Sequence, residues 1–207
     1  MHDQVLEAIP TGELSAAVRV SIASIVWTLV ANSASVGLGV AAGSVVLVSF
    51  GMTGLLDAAG SVTLVVHFRH ALNHEALSER HERVALHVIT LGLATVGVVT
   101  LLASAQRLAT HEVSSTSVLG IAIAAASILV LGTLSLRKHQ VARRIASQPL
   151  HADGWLSATG CLLATVTVTG SVFAAQFDYW WADPVAAAII GTAAIVLGLI
   201  MLHSSDA

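Results

Sequence analysis

The chain has 207 residues, of which 56% are hydrophobic and 10% are charged, and its mean hydropathy is +0.85. A soluble domain carries about 25% charged residues, so this composition excludes an ordinary soluble domain and indicates a membrane protein. The formal net charge is −3. This balance gives no support to nucleic-acid binding, which uses a strongly basic surface.

Five apolar segments lie between charged residues, and the first of them, residues 20–56, is too long for one crossing. As a single helix it would extend roughly 55 Å, whereas the hydrocarbon core is about 30 Å thick. The cluster Gly37, Gly39 and Gly43-Ser44 is predicted to turn the chain back. The sequence therefore predicts an all-α membrane protein, a six-transmembrane-helix bundle with spans at about 19–41, 44–68, 84–106, 114–136, 151–175 and 184–202.

The basic residues predict the orientation, because Lys and Arg accumulate in cytoplasmic loops. One side receives eight of the nine: Arg19, Arg69, Arg80, Arg83, Arg137, Lys138, Arg143 and Arg144. The other side receives only Arg107. Both termini and residues 67–83 and 137–150 are therefore expected in the cytoplasm, and residues 107–113 and 176–183 outside.

The predicted organisation is one membrane domain. Residues 1–17 form a cytoplasmic N-terminal lead-in without a cleavable signal peptide, residues 18–203 the six-span domain, and residues 204–207 a short cytoplasmic tail without a soluble C-terminal domain. A lone Cys161 predicts neither a disulfide framework nor a Cys-x-x-Cys metal site. The expected location is a prokaryotic plasma membrane.

Two aspartates, Asp57 and Asp153, lie inside the apolar segments and are the first candidates for a functional site. Intramembrane carboxylates are costly and usually mark ion or substrate pathways. Asp57 falls near the middle of span 2, with Thr53 and Ser61 one turn away on the same face. Asp153 lies nearer the cytoplasmic end of span 5, with Ser157 one turn further in. The alternatives are a neutral, hydrogen-bonded Asp57 and an Asp153 that caps its helix.

Four short motifs lie along the predicted spans. They are Gly43-Ser44 followed by Asp57, Arg80-His81-Glu82-Arg83, Leu150-His151-Ala152-Asp153, and Trp181-Ala182-Asp183-Pro184. Their order and spacing resemble those of the cation diffusion facilitators, also called cation efflux transporters. The resemblance covers essentially the whole chain, and it implies a six-span transporter of divalent metal ions.

The resemblance also implies a metal site, but most of its usual ligands are replaced. The family takes two ligands four residues apart from span 2, and usually a His and an Asp from span 5. The matching positions are Thr53, Asp57, Leu156 and Gly160. Asp57 is therefore the one position of the four that keeps an expected ligand.

Antiparallel packing of spans 2 and 5 suggests how a site could still form. It places Asp57 level with Leu156. Ser61 and Asp153 are level with each other, about one turn or roughly 5 Å nearer the cytoplasm. The candidate metal ligands are Asp57, Asp153, Thr53, Ser61 and Ser157. Such an all-oxygen set suits harder divalent ions better than zinc.

A second candidate lies in the predicted loop after span 2, where three histidines are spaced i, i+3 and i+7. They are His67, His70 and His74, and His81 follows in the same loop. His70 and His74, four residues apart, form a two-ligand unit for zinc, and His81 could add a third ligand. The alternative is a solvated, amphipathic loop helix that holds no metal.

The leading functional hypothesis is proton-coupled efflux of zinc or a similar divalent ion. Burial favours a protonated carboxyl group and a bound dication favours an ionised one, so the aspartates could alternate between protons and metal. The competing hypothesis is a non-transporting membrane module that binds metal or a partner protein. No enzymatic motif is found, and no cofactor is expected besides the transported cation. The expected partners are the lipid bilayer, divalent cations and protons, and the choice between monomer and homodimer stays open.

Overall fold

The computed structural model describes residues 11–72, 79–113, 115, 117–144, 148–177 and 179–205. These residues form six helices and no strand. The helices are α1 (Thr11–Ala42), α2 (Val45–Leu72), α3 (Glu79–Thr110), α4 (Val118–Arg144), α5 (Gln148–Phe177) and α6 (Ala182–Ser205). The prediction of an all-α protein is confirmed.

Five of these helices are long and apolar enough to cross a membrane. The candidate spans are Val18–Ala42, Thr90–Thr110, Val118–Arg144, Asp153–Phe177 and Ala182–Ile200. Within the described part of α2, the apolar stretch Val45–Ala59 is shorter than a full span. The chain is therefore a multi-pass integral membrane protein, since each long helix matches the thickness of a bilayer.

The predicted reversal of the first apolar segment occurs at Gly43-Ser44. Gly43 adopts a φ of 64°, a left-handed conformation that glycine tolerates best. The Ser44 N–H donates to the Gly39 carbonyl at 2.8 Å, which satisfies a carbonyl in the last turn of α1. The turn separates α1 from α2 and makes these two helices antiparallel neighbours.

Small and polar side chains face the interior of the bundle, and large aliphatic side chains face outward. The buried face of α1 carries Ser21, Ser24, Thr28, Asn32 and Ser35, spaced three or four residues apart. Leu91, Leu129 and Leu162 are each about two-thirds exposed or more. This arrangement is typical of membrane helices, because small residues allow close packing while lipid surrounds the outside as an apolar solvent.

Helix α2 occupies the centre of the bundle, where it contacts α1, α3, α5 and α6. Helix α4 packs against α1 and α5, and α3 packs against α6. One buried apolar cluster joins α2, α4, α5 and α6: Val46, Phe50, Ala124, Leu163, Ala164, Ala186, Ala187 and Ile190. The middle of α2 is therefore surrounded by other helices on several sides.

The first turn of α2 is capped by a carboxylate from α6. Asp183 accepts hydrogen bonds from the Ser44 hydroxyl and from the backbone N–H groups of Val45 and Val46, at 2.9 and 3.3 Å for the latter two. A carboxylate at a helix N-terminus satisfies donors that lack partners within the helix. Two of the motifs found in the sequence, Gly43-Ser44 and Asp183-Pro184, thus meet at this end of the bundle.

Lys138 does not lie in a loop, and the prediction that placed it there was wrong. It belongs to α4 and its side chain is fully buried. The buried face of α4 continues with helical spacing through Leu131, Ser135, Lys138 and Ala142. The chain is therefore still inside the bundle two residues beyond the predicted end of span 4.

Candidate cation site

Asp57 lines an internal cavity of about 30 Å³, to which all six helices contribute. A cavity of about 10–15 Å³ is enough to hold one water molecule, so this one has room for a small ion. Asp57 itself is half-buried. Among the residues that the structure describes, none donates a hydrogen bond to its side chain. Its carboxyl group is therefore a candidate cation ligand.

Two further oxygen atoms at this cavity lack hydrogen-bond partners. They are the Thr53 hydroxyl and the Asn32 side-chain carbonyl, both on buried residues. The Asn32 amide N–H donates to the Thr28 carbonyl at 2.8 Å, which leaves Oδ1 of Asn32 unused. Buried polar atoms in proteins almost always have a partner. Asp57, Thr53 and Asn32 are therefore three candidate residues for binding a small cation through oxygen.

The position of Asn32 depends on the glycine opposite it on α2. A Cβ atom at Gly54 would lie 2.6 Å from Oδ1 of Asn32, closer than non-bonded atoms approach. Glycine at this position lets the Asn32 amide lie directly against the backbone of α2. Close packing of α1 on α2 thus places a polar group from α1 in the Asp57 cavity.

The wall formed by α5 carries no charged side chain. Leu156, Thr159 and Gly160 line the cavity there, which confirms that Asp57 and Leu156 lie at the same level. The Thr159 hydroxyl donates to the Trp155 carbonyl at 3.1 Å. The two positions at which the family usually supplies a His and an Asp therefore face the cavity as Leu156 and Gly160.

Asp153 lies outside this cavity and forms a buried ion pair with Lys138. The distance from Lys138 Nζ to Asp153 Oδ2 is 2.8 Å, and the two side chains are 0% and 1% exposed. Asp153 also accepts hydrogen bonds from the Ser61 hydroxyl at 2.8 Å and from the Ser21 hydroxyl at 3.5 Å. The predicted level of Ser61 and Asp153 is confirmed. Since α5 begins at Gln148, Asp153 is not the N-cap of its helix.

Lys138 completes its hydrogen bonding with two serines. Its Nζ donates to the Ser24 hydroxyl at 3.0 Å and to the Ser157 hydroxyl at 2.9 Å. The resulting ion-pair cluster consists of Lys138, Asp153, Ser21, Ser24, Ser61 and Ser157. The five oxygen ligands predicted from the sequence are thus divided: Thr53 and Asp57 line the cavity, whereas Ser61, Asp153 and Ser157 belong to the ion-pair cluster.

The histidine candidates are only partly described. His70 lies near the end of α2 and His81 near the start of α3, and His74 lies outside the described residues. Among the residues that the structure describes, no three His, Cys, Asp or Glu side chains are grouped as a metal site. The histidine loop therefore stays a prediction.

The sequence does not identify Asn32 and Lys138 as site residues, although each lies on a periodic buried face of its helix. Asn32 belongs to the polar face of α1 that recurs every three or four residues. Lys138 follows Leu131 and Ser135 on the buried face of α4. Extending each periodic pattern to the end of its helix would have placed both side chains inside the bundle.

The comparison with protein families identifies the relationship. Residues 21–205 match the profile described as the cation efflux transmembrane domain, and a search of curated proteins found no match. The match extends over all six helices and includes Asp57, Lys138 and Asp153. With its apolar helices and its internal carboxylates, this chain belongs to the cation efflux family of transporters.

Proposed function

We propose that this protein transports a divalent cation and that Asp57 is its central ligand. The observation that carries the proposal is the cavity at Asp57, which also contains two buried oxygen atoms without hydrogen-bond partners, on Thr53 and Asn32. A carboxylate with neutral oxygen ligands suits zinc less well than harder ions such as Mg²⁺, Mn²⁺ or Ca²⁺. The proposed cargo is therefore zinc or, better matched to these ligands, a harder divalent ion.

The proposed transport is efflux coupled to inward proton movement. A carboxyl group binds a metal ion only when it is ionised, so cation binding at a protonated Asp57 must release the proton. In this proposal α2 also crosses the membrane, which brings the number of spans to six. Both termini are cytoplasmic, and the protein resides in a prokaryotic plasma membrane. The bias of basic residues toward the loops on one side supports that orientation.

The experiment is divalent-cation flux into proteoliposomes, measured for the wild type and for Asp57→Asn. The substitution keeps the shape of the side chain and removes its charge. We expect flux and cation affinity to fall at least about 10-fold, the lower range for disturbed metal sites. Glu112→Gln is the matched control, because Glu112 is an exposed acid that does not line the cavity. Its flux should equal that of the wild type.

One observation favours the second candidate function, a module that binds a cation or a partner protein without transport. Leu156 and Gly160 give the α5 side of the cavity no charged ligand, so Asp57 faces a mostly apolar wall. In that case the wild type would bind divalent cations with no flux above that of empty liposomes. Flux that is equal in Asp57→Asn and wild type would contradict the assignment of Asp57.

A further inference from the structure

A fully buried lysine lies beside the Asp57 cavity, held by three oxygen atoms at similar distances. Lys138 Nζ is 2.8 Å from Asp153 Oδ2, 2.9 Å from Ser157 Oγ and 3.0 Å from Ser24 Oγ. An ammonium group has three N–H donors, and these three oxygens use all of them. The ion-pair cluster is therefore a cage of oxygen atoms built around one positive charge.

The cage and the cavity are successive layers of the same bundle. Ser24 lies one turn before Thr28 on α1, and Ser61 lies one turn after Asp57 on α2. On α5, Ser157 directly follows Leu156. Thr28, Asp57 and Leu156 all line the cavity. About 6 Å therefore separates the two layers along α1 and α2, and Ser157 lies only about 1.5 Å along α5 from the cavity residue Leu156. Both charges of the pair interact electrostatically with Asp57.

We propose that the Lys138 ammonium is a tethered cation that fills a second cation position next to the Asp57 cavity. The ammonium cancels the charge of Asp153, so a cation that enters the bundle meets a single open carboxylate, Asp57. Lys138 is then a specificity-determining residue, because it limits the site to one negative charge. The role of Lys138 in specificity rests on the proposed transport, whereas cation binding by the cage is tested without measuring transport.

The occupant that the cage fits without its lysine is a hard divalent cation. The carboxylate and serine hydroxyls around Nζ are the oxygen ligands that such ions prefer. Ca²⁺ accepts flexible geometry with six to eight oxygens at about 2.3–2.6 Å, some of them from water, and the cage would supply three of these. If the ion pair had a purely structural role, replacing both partners by apolar side chains would restore stability, and the lysine-free cage would have no particular affinity for Ca²⁺.

The experiment uses full-length protein in the Asp57→Asn background, which removes the proposed transport site. Three proteins are compared: Asp57→Asn alone, the same with Lys138→Met, and the same with Lys138→Met and Asp153→Leu. Unfolding temperatures are measured in Ca²⁺ and in chelator, together with Ca²⁺ stoichiometry by equilibrium dialysis. Lys138→Met should bind one additional Ca²⁺ per chain. At about 100 times its Kd, Ca²⁺ should raise the unfolding temperature of that variant by about 5–10 °C.

The other two proteins should show no such rise, since one retains the ammonium and the other lacks the carboxylate. An unfolding temperature of Lys138→Met that does not respond to Ca²⁺ would overturn the proposal. The proposal would also be overturned if the variant with both Lys138→Met and Asp153→Leu responded equally to Ca²⁺. It would be overturned as well if that double replacement folded in Ca²⁺ and Lys138→Met did not. Failure of the proposed transport is seen separately, as equal flux in wild type and Asp57→Asn.

Discussion

Individual polar residues inside this bundle differ in whether their hydrogen bonds are completed. Lys138 and Asp153 form an ion pair, and each also has hydrogen bonds with serine hydroxyls. Thr53 Oγ1 and Asn32 Oδ1, on the adjacent layer, have no partner. Unsatisfied buried groups cost roughly 1–3 kcal/mol of stability each, so a cation bound in the cavity would gain from both oxygens. Of the two layers, the proposed binding layer is therefore that of Asp57.

A substitution at Thr53 should separate binding from stability. Thr53→Val keeps the shape and removes the unpartnered hydroxyl, so the free energy of unfolding should stay equal or rise by about 1 kcal/mol. Cation affinity should fall by about 10-fold, the range seen when the surroundings of a metal ion are disturbed. Chemical unfolding and equilibrium cation binding measure the two quantities.

Thr167→Val is the matched control for this prediction. Thr167 is equally buried, but its hydroxyl donates to the Leu163 carbonyl at 2.9 Å. Removing that bond should lower the free energy of unfolding by about 1 kcal/mol and leave cation affinity unchanged. Unaltered affinity in Thr53→Val would exclude the Thr53 hydroxyl as a ligand.

Among the secondary-structure elements, α2 depends most on its neighbours. It begins directly after a tight turn, carries Asp57 and contacts four other helices. Its first N–H groups are satisfied by Asp183, a residue more than a hundred positions further along the chain. The register of α2, and with it the height of Asp57 in the bundle, is therefore fixed in part by α6.

Removal of the Asp183 carboxylate should destabilise the fold. Asp183→Ala loses three hydrogen bonds at the start of α2, and we expect the free energy of unfolding to fall by about 2–3 kcal/mol. Glu112→Ala is the control, because this exposed acid has one long contact of 3.9 Å, with Arg107, among the residues that the structure describes, worth less than about 1 kcal/mol. Thermal unfolding in detergent measures both. Equal stability of the two variants would show that the cap contributes little.

The segment that joins α2 to α3 carries the histidine prediction. If His70 and His74 only collect cations for delivery to Asp57, replacing both with alanine should weaken apparent affinity several-fold, in line with loss of a weak two-ligand unit. Maximal flux should be mostly retained. Flux titrations with divalent cation test this. Complete loss of transport in a folded double variant would instead make this loop the main site.

The predicted orientation of the whole molecule rests on the charges at its two ends. In a Cys161→Ala background, Glu112→Cys should react with a membrane-impermeant maleimide on intact cells. Arg143→Cys should react only after the membrane is opened, because the basic ends of helices stay in the cytoplasm. Both positions are exposed in the structure, so absence of labelling reflects sidedness. Labelling of Arg143→Cys on intact cells would reverse both the orientation and the inferred direction of transport.

The sequence by itself determined the class of the protein, its helices, the turn at Gly43-Ser44 and the relative heights of Asp57 and Asp153. These properties are local or follow from the fixed rise of a helix, so hydropathy and residue spacing suffice to predict them. The level of Ser61 with Asp153 is the clearest case, because two antiparallel helices of known rise leave little freedom.

Only the tertiary structure decided which carboxylate is open. The periodic face of α4 places Lys138 inside the bundle, but the counter-charge that permits its burial, Asp153, lies on another helix, and only the folded structure shows this pairing. Asn32 likewise reaches the cavity because Gly54, on the next helix, leaves space for it. Such pairings depend on contacts between residues distant in the chain, and the free energy that compensates a buried charge comes from those contacts rather than from local sequence.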